Sequence, residues 1–144
     1  MTEAEIIKHL SQVRDLKETY EKNLRIIAEL KSKATKTNHP MSGEKVQGSP
    51  DPDPMGNAVT AWVTIQDEND RILLDMEQAT REVTTMICHV PIGIQRKILM
   101  ERYIICYSFH DIAKINKHDV SWIMKLHRRA IKYLSATERP VTGL

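Results

Sequence analysis

The feature that most constrains the fold is a pair of short helical patterns separated by a polar break, between Ser108 and Leu134. Ser108 precedes Asp111 by three residues, the spacing at which a hydroxyl caps a helix start. Residues 116–118 are polar and interrupt the apolar periodicity. Asp119 then has a side chain that can accept from the free N–H groups of a following turn. The sequence therefore predicts two helices joined by a tight turn.

The second of these helices has an apolar side and a cationic side. Apolar residues recur every three or four positions and form one stripe, namely Ile123, Leu126, Ala130 and Leu134. Off that stripe lie Ser121, Lys125, Arg128, Arg129 and Lys132. Two helices joined by a tight turn, the second with one apolar and one cationic side, are typical of a motif that places a recognition helix in the major groove of DNA. The alternative is an αα-hairpin packed into a core, with its charges merely solvated.

Charge is distributed unevenly along the chain. Residues 89–144 contain ten basic and four acidic residues, whereas the first 88 residues contain eleven basic and fifteen acidic ones. Affinity for nucleic acid comes largely from neutralised phosphates. This asymmetry therefore favours a C-terminal third that binds phosphates, attached to an N-terminal part that does not bind nucleic acid. The alternative explanation is chance combined with solubility.

Five segments carry a resemblance to a known family. They are RKILMERYI (96–104), S-x-x-D-I-A (108–113), W-I-x-x-L-H-x-R-A-I (122–131), SGEKVQGS (42–49) and DPMGNAV (53–59). The first three resemble region four of the sigma-70 family of RNA polymerase subunits. More closely, they are similar to small sigma-like regulators of phages and prophages, the late-gene activators of the ArpU and RinA type. The last two are similar to the linker of that phage group.

This resemblance implies a sequence-specific, DNA-binding transcription regulator of late phage genes that recruits the RNA polymerase of its bacterial host. The chain departs from the family at the turn, where Asn116 and Lys117 stand in place of an apolar residue and Gly. Without Gly, Lys117 has to adopt a left-handed conformation at some cost, or the turn differs. The start of the second helix also lacks the Arg and Glu that the family often presents to base edges.

The residues expected to contact double-stranded DNA are Ser108, Lys117, Val120, Ser121, Trp122, Met124, Lys125, Arg128, Arg129 and Lys132. Ser121 and Lys125 would reach base edges, and Val120 or Met124 could touch a thymine methyl group. The three cations that follow would hold phosphates. Trp122 would pack against a sugar or against the preceding helix.

Two long amphipathic patterns precede this head, over residues 1–36 and 55–89. Their seams include Leu24 and Leu73, and Thr2 with Glu5 three residues later predicts a capping box. The expected fold is all-α: a long antiparallel helical hairpin resembling a coiled coil, followed by a helix-turn-helix head. We assign residues 1–90 to the arm with a Pro/Gly-rich linker at 37–54, residues 91–135 to the head and residues 136–144 to a tail.

A two-helix arm buries little by itself, so we expect a homo-oligomer, a dimer or larger. Asn69, near the second seam, can fix the register at some expense of stability.

Enzymatic chemistry is not indicated. The sequence has no phosphate loop, nucleophile elbow or paired carboxylate site, so we expect neither an enzyme nor a cofactor. His110, His118 and His127 lack the spacing of helical metal ligands, which argues against a metal site. His127 is interpreted as a packing or phosphate-contacting residue.

Cys88 and Cys106 are interpreted as reduced, buried thiols. No apolar run is long enough for a membrane and the N-terminus is charged, so we expect a cytoplasmic protein of a bacterial host.

Two other functions fit the same pattern. A small terminase subunit also couples a helix-turn-helix to an oligomerising coiled coil, but marks DNA for packaging; it predicts a ring of many subunits. A helical adaptor that binds a protein instead of DNA predicts no DNA affinity even at low salt.

Overall fold

The computed structural model describes residues 1–37 and 53–137, which form helices and their connections. The helices are α1 (Glu3–Leu10), α2 (Gln12–Thr37), α3 (Pro54–Cys88), α4 (Gly93–Tyr103), α5 (Phe109–Asn116) and α6 (Val120–Thr137). No strand occurs within these ranges, which confirms the expected all-α class. Most of the linker predicted at 37–54, and of the tail predicted at 136–144, lies outside the described residues. None of the described helices is long and apolar enough to cross a membrane.

The chain divides into two compact units. The larger unit comprises Met1–Lys17 and the chain from Asp75 onward, and the smaller unit comprises Glu18–Leu74. The division falls within α2 and α3, whereas the sequence placed the junction of arm and head at residue 90. The physical reason is that α1, the start of α2 and the end of α3 contribute apolar side chains to the same core as α4 and α6.

Local sequence signals set the start of α1. The predicted capping box is confirmed: the Glu5 backbone N–H donates to Thr2 Oγ1 at 3.2 Å, and the Thr2 N–H donates to Glu5 Oε2 at 2.8 Å. The single helix predicted over 1–36 is interrupted at Ser11, which separates α1 from α2. This break allows α1 to pack against α6 as a separate helix.

The larger unit contains two apolar clusters that share α6. The first joins α1, α2, α3, α4 and the C-terminal half of α6, and the second joins α4, α5 and the N-terminal half of α6. The stripe predicted on α6 is confirmed, because all four of its residues are buried. Ile123 and Leu126 belong to the second cluster, and Ala130 and Leu134 belong to the first. The opposite side of α6 is left facing away from both clusters.

In the smaller unit, α2 and α3 pair through a polar contact. Asn23 Nδ2 donates to Asn69 Oδ1 at 2.8 Å, and Asn69 Nδ2 donates to the Tyr20 carbonyl oxygen at 3.2 Å. Further along α2, the Lys31 ammonium lies 5.9 Å from the centroid of the Trp62 ring, earlier in α3. The two helices therefore run in opposite directions. The hairpin itself stays a prediction, because the connection lies outside the described residues.

The seam predicted for these two helices is partly wrong. Leu24 and Leu73 were expected in it, yet they are 47% and 46% exposed. Asn23 and Ile72, each one residue earlier, are buried instead. One residue corresponds to a rotation of about 100° around a helix, which is enough to exchange a buried position for an exposed one.

Candidate nucleic-acid interface

The turn between α5 and α6 is built without glycine. Ser108 caps α5, since its hydroxyl accepts from the Asp111 backbone N–H at 3.1 Å, as predicted. Lys117 has φ 56° and ψ 45°, which confirms its left-handed conformation. The His118 N–H donates to the Ala113 carbonyl at 3.0 Å, and the Lys117 N–H donates to that of Lys114 at 3.3 Å. These two bonds form a Schellman motif, and the left-handed Lys costs about 1 kcal/mol.

A buried carboxylate fixes this turn to α4. Asn116 Nδ2 donates to Glu101 Oε2 at 2.9 Å and to the Ile112 carbonyl at 2.8 Å. Glu101 is only 5% exposed and also lies 3.8 Å from the ammonium of Lys97. Because a buried carboxylate is costly without partners, these contacts hold α4 and the end of α5 in one arrangement. They thereby determine where α6 begins.

One side of α6 presents a row of polar and cationic residues to solvent. We call Ser121, Lys125, Arg128 and Lys132 the cationic row; all four are exposed. Their spacing of three and four residues places them on one side of the helix, and they span about 16 Å along its axis. Met124, 43% exposed, and Arg129, also exposed, flank the row. The cations predicted to meet DNA are therefore accessible.

Two candidate residues at the start of α6 are only half-exposed. Val120 and Trp122 pack against the second apolar cluster. The Trp122 ring also stacks on His118, with ring centroids 3.9 Å apart and an interplanar angle of 30°. Of the two roles predicted for Trp122, packing against the preceding segment is the one observed. Its contribution to any interface comes from the part of the ring left exposed.

A shallow concavity between α5 and the turn contains a cation that sequence reasoning missed. Its walls include His110, Lys114, Lys117 and Val120. Lys114 and Lys117 are both exposed, and they lie three residues apart around the C-terminus of α5. That spacing is a signal the sequence offered, although Lys114 was not singled out. The concavity adds positive charge next to the start of the cationic row.

His127 packs inside the larger unit. Tyr103 Oη lies 2.6 Å from His127 Nε2, and the Phe109 ring meets the imidazole edge to face, 5.1 Å between centroids. Burial, together with the positive charges of Arg102 and Arg128, lowers the pKa of His127 to about 4. The ring is therefore neutral at pH 7, and Nε2 can accept a hydrogen bond from the Tyr103 hydroxyl. Of the two roles interpreted from sequence, packing is the one observed.

Arg102 completes this cluster from α4. Its guanidinium lies 4.2 Å from the Phe109 ring centroid, and Nη1 donates to the Tyr107 carbonyl at 3.2 Å. Its Nε is buried and has no hydrogen-bond partner among the described residues. Burial, and then the charge of Arg14, lower the pKa of Arg102. Burial also raises the pKa of the Tyr103 hydroxyl.

The N-terminal helix borders the cationic row. Glu3 and Ile7 of α1 line a second concavity together with Met124 and Arg128 of α6. Ile7 remains 40% exposed. The sequence assigned α1 to the arm, so this border was not predicted. The surface available to a ligand of α6 thus includes one side of α1.

The described ranges contain no cluster of metal-ligating side chains. Across residues 1–37 and 53–137, no three His, Cys, Asp or Glu side chains come together as metal ligands would. Cys106 is half-buried, but Cys88 is exposed, so the expectation of two buried thiols is wrong for Cys88. The reason is its position one residue past the buried Ile87, on the outer side of α3.

Comparison with known proteins finds no relative. No protein-family model matches the chain, and neither a curated protein nor a solved structure matches it. The resemblance to sigma region four stays a prediction from the segments named above. A function is therefore proposed from the geometry of α1 and α4–α6 together with that prediction.

Proposed function

We propose that this chain is a sequence-specific DNA-binding transcription regulator of phage late genes, sigma-factor-like in its last three helices. The observation that carries the proposal is the cationic row, whose four residues are exposed while the opposite stripe of the same helix is buried. A helix held by one side and cationic on the other fits the major groove, about 12 Å wide.

Each residue has a role in this proposal. Ser121 and Lys125, nearest the N-terminus of α6, reach base edges, with the half-buried Val120 and exposed Met124 beside them for thymine methyl groups. Arg128, Arg129 and Lys132 neutralise phosphates along the groove. Ser108, Lys114 and Lys117 meet the backbone from α5 and the turn. Phosphate contacts fix the orientation of the protein, and base contacts select the sequence.

The partners follow from two separate grounds. Double-stranded DNA is supported by the charge and exposure of α6. Recruitment of host RNA polymerase is supported by the predicted resemblance of segments 96–104, 108–113 and 122–131 to sigma region four. A homo-oligomer is the expected form, because the smaller unit buries few apolar side chains.

The test is the salt dependence of DNA binding by the double variant Arg128→Ala/Lys132→Ala. DNA fragments retained by the wild-type protein are identified first, and binding to one of them and to an unrelated duplex is then measured across a salt series. We expect weaker binding to both duplexes and a salt slope reduced by about 2, since two phosphate contacts are lost.

The matched control is Lys8→Ala/Arg81→Ala, which removes two exposed cations of α1 and α3 that lie outside the cationic row and outside the smaller unit. It should leave both affinity and salt slope at the wild-type values. Equal losses in the two double variants would mean that binding follows net charge and not the cationic row. Absence of DNA binding by the wild-type protein at low salt would overturn the proposal in favour of an adaptor.

A further inference from the structure

The smaller unit has an exposed apolar area on one of its sides. Leu24 is 47% exposed and Leu73 is 46% exposed, while Tyr20 and Trp62 are half-buried. The contact of Lys31 with the Trp62 ring shows that these faces of α2 and α3 meet on one side of the pair. Leu24 lies seven residues before Lys31 and Leu73 eleven after Trp62, so each leucine shares the face of its contact residue. We call Tyr20, Leu24, Trp62 and Leu73 the side patch.

The spacing of the side patch fits a helical partner. Along α3, Met55, Val59, Trp62 and Leu73 occupy positions that alternate by four and three residues, with polar Gln66 and Asn69 between them. Along α2, Tyr20, Leu24 and Lys31 follow the same alternation. This is the spacing by which helices pack side by side in coiled coils and bundles. Two such stripes next to one another are suited to receive two helices.

The charges of α2 and α3 indicate which two helices would cover the side patch. Over residues 18–35, α2 carries four basic and three acidic side chains, whereas over residues 54–74, α3 carries three acidic and one basic. A two-fold axis along the helices would place α2 of each copy beside α3 of the other, so that net charges of opposite sign become neighbours. A surface that complements itself in this way is the requirement for a two-fold symmetric dimer.

The smaller unit also lacks the burial that a self-sufficient pair of helices needs. Within its described residues, the buried apolar side chains are Ile27, Ala34 and Ile72. A second copy on the side patch would cover Leu24 and Leu73 and complete a four-helix core. We propose that the side patch binds a second copy of this chain, with α2 of each copy packed beside α3 of the other in a two-fold symmetric four-helix bundle.

The experiment compares two adjacent leucines of α3. Leu73 lies in the side patch, whereas Leu74, 68% exposed, points about 100° further around the helix. Mass is measured in solution by sedimentation over a concentration series for the wild-type chain, Leu73→Glu and Leu74→Glu. We expect a wild-type dimer, an unchanged dimer for Leu74→Glu and a Kd for Leu73→Glu raised about a hundredfold, because each dimer loses two buried leucines.

Leu24→Glu tests the same patch from α2. Far-ultraviolet circular dichroism shows whether each variant keeps its helix content, and if Leu73→Glu loses helix, Leu24→Glu decides. A monomeric wild-type chain would overturn the inference and leave the side patch for a different protein. A ring of eight or more subunits, dissociation of Leu74→Glu, or dimers of both patch variants with wild-type Kd would also overturn it. A ring would also favour a small terminase subunit over the transcription regulator. The other results do not bear on DNA binding, which is tested by variants of α6.

Discussion

The larger and the smaller unit fill the space between their helices with different side chains. Among the residues that the structure describes, seventeen buried apolar side chains belong to the larger unit and three belong to the smaller one. The larger unit closes around side chains such as Ile87, Ile123 and Leu134, each fully buried. The smaller unit has the hydrogen-bonded pair Asn23 and Asn69 at its centre.

This difference shows that the amphipathicity of a helix does not by itself decide how many of its apolar side chains are buried. Both units are made of helices with apolar residues every three or four positions. In the larger unit, α1 and α4 cover the flanks that would otherwise stay open, whereas two helices alone leave a flank such as Leu24 exposed. A buried polar pair fixes the register of two helices more than it stabilises them. We therefore expect the smaller unit to have the lower free energy of unfolding.

The largest expected effect compares one isoleucine in each unit. Ile123→Ala should lower the free energy of unfolding by about 4 kcal/mol, because the side chain is fully buried in the second cluster and its removal leaves a cavity there. Ile72→Ala, in the smaller unit, should cost about 2 kcal/mol, because its surroundings are less enclosed. Urea denaturation, with hydrogen exchange to separate the units, measures both costs. A cost for Ile72→Ala equal to that of Ile123→Ala would remove the contrast between the units.

A second test uses pH and acts on the larger unit through His127. The native pKa, about 4, lies below the ordinary value of 6.5, so between these values the unfolded chain binds a proton that the native chain does not. Stability from this group is therefore complete above pH 6.5 and is lost as pH falls towards 4, by up to about 3 kcal/mol. Urea midpoints at several pH values measure the loss. His127→Gln should flatten this part of the profile, and an unchanged slope would contradict the assignment.

The smallest expected effect concerns the turn before α6. Lys117→Gly should raise the stability of the larger unit by about 1 kcal/mol, because glycine adopts the left-handed conformation without steric cost. Lys117→Ala is the control, since it removes the same charge but keeps the strain. Hydrogen exchange in α5 and α6 distinguishes the variants, while exchange in the smaller unit should be the same in both. Equal stability of the two variants would show that the turn is not strained.

The features that could be predicted from sequence are those set within a few residues. Thr2 with Glu5 and Ser108 with Asp111 fixed two helix starts, and the missing glycine at Lys117 indicated a left-handed residue. The buried stripe of α6 was also predicted, and with it the exposure of the cationic row on the opposite side. Caps, turns and periodicity are local, so a single sequence contains the information for them.

Only the tertiary structure decided which distant residues meet. Asn23 pairs with Asn69, 46 residues away, and Asn116 with Glu101, while His127 finds Tyr103 across α4 and α6. The side of the α2–α3 seam and the position of α1 beside the cationic row were decided in the same way. The hydrophobic effect is non-directional, so an apolar stripe on a helix predicts that the helix packs against a partner but does not identify that partner. That choice rests on how all the helices together fill space, and it sets the edges of both proposed interfaces.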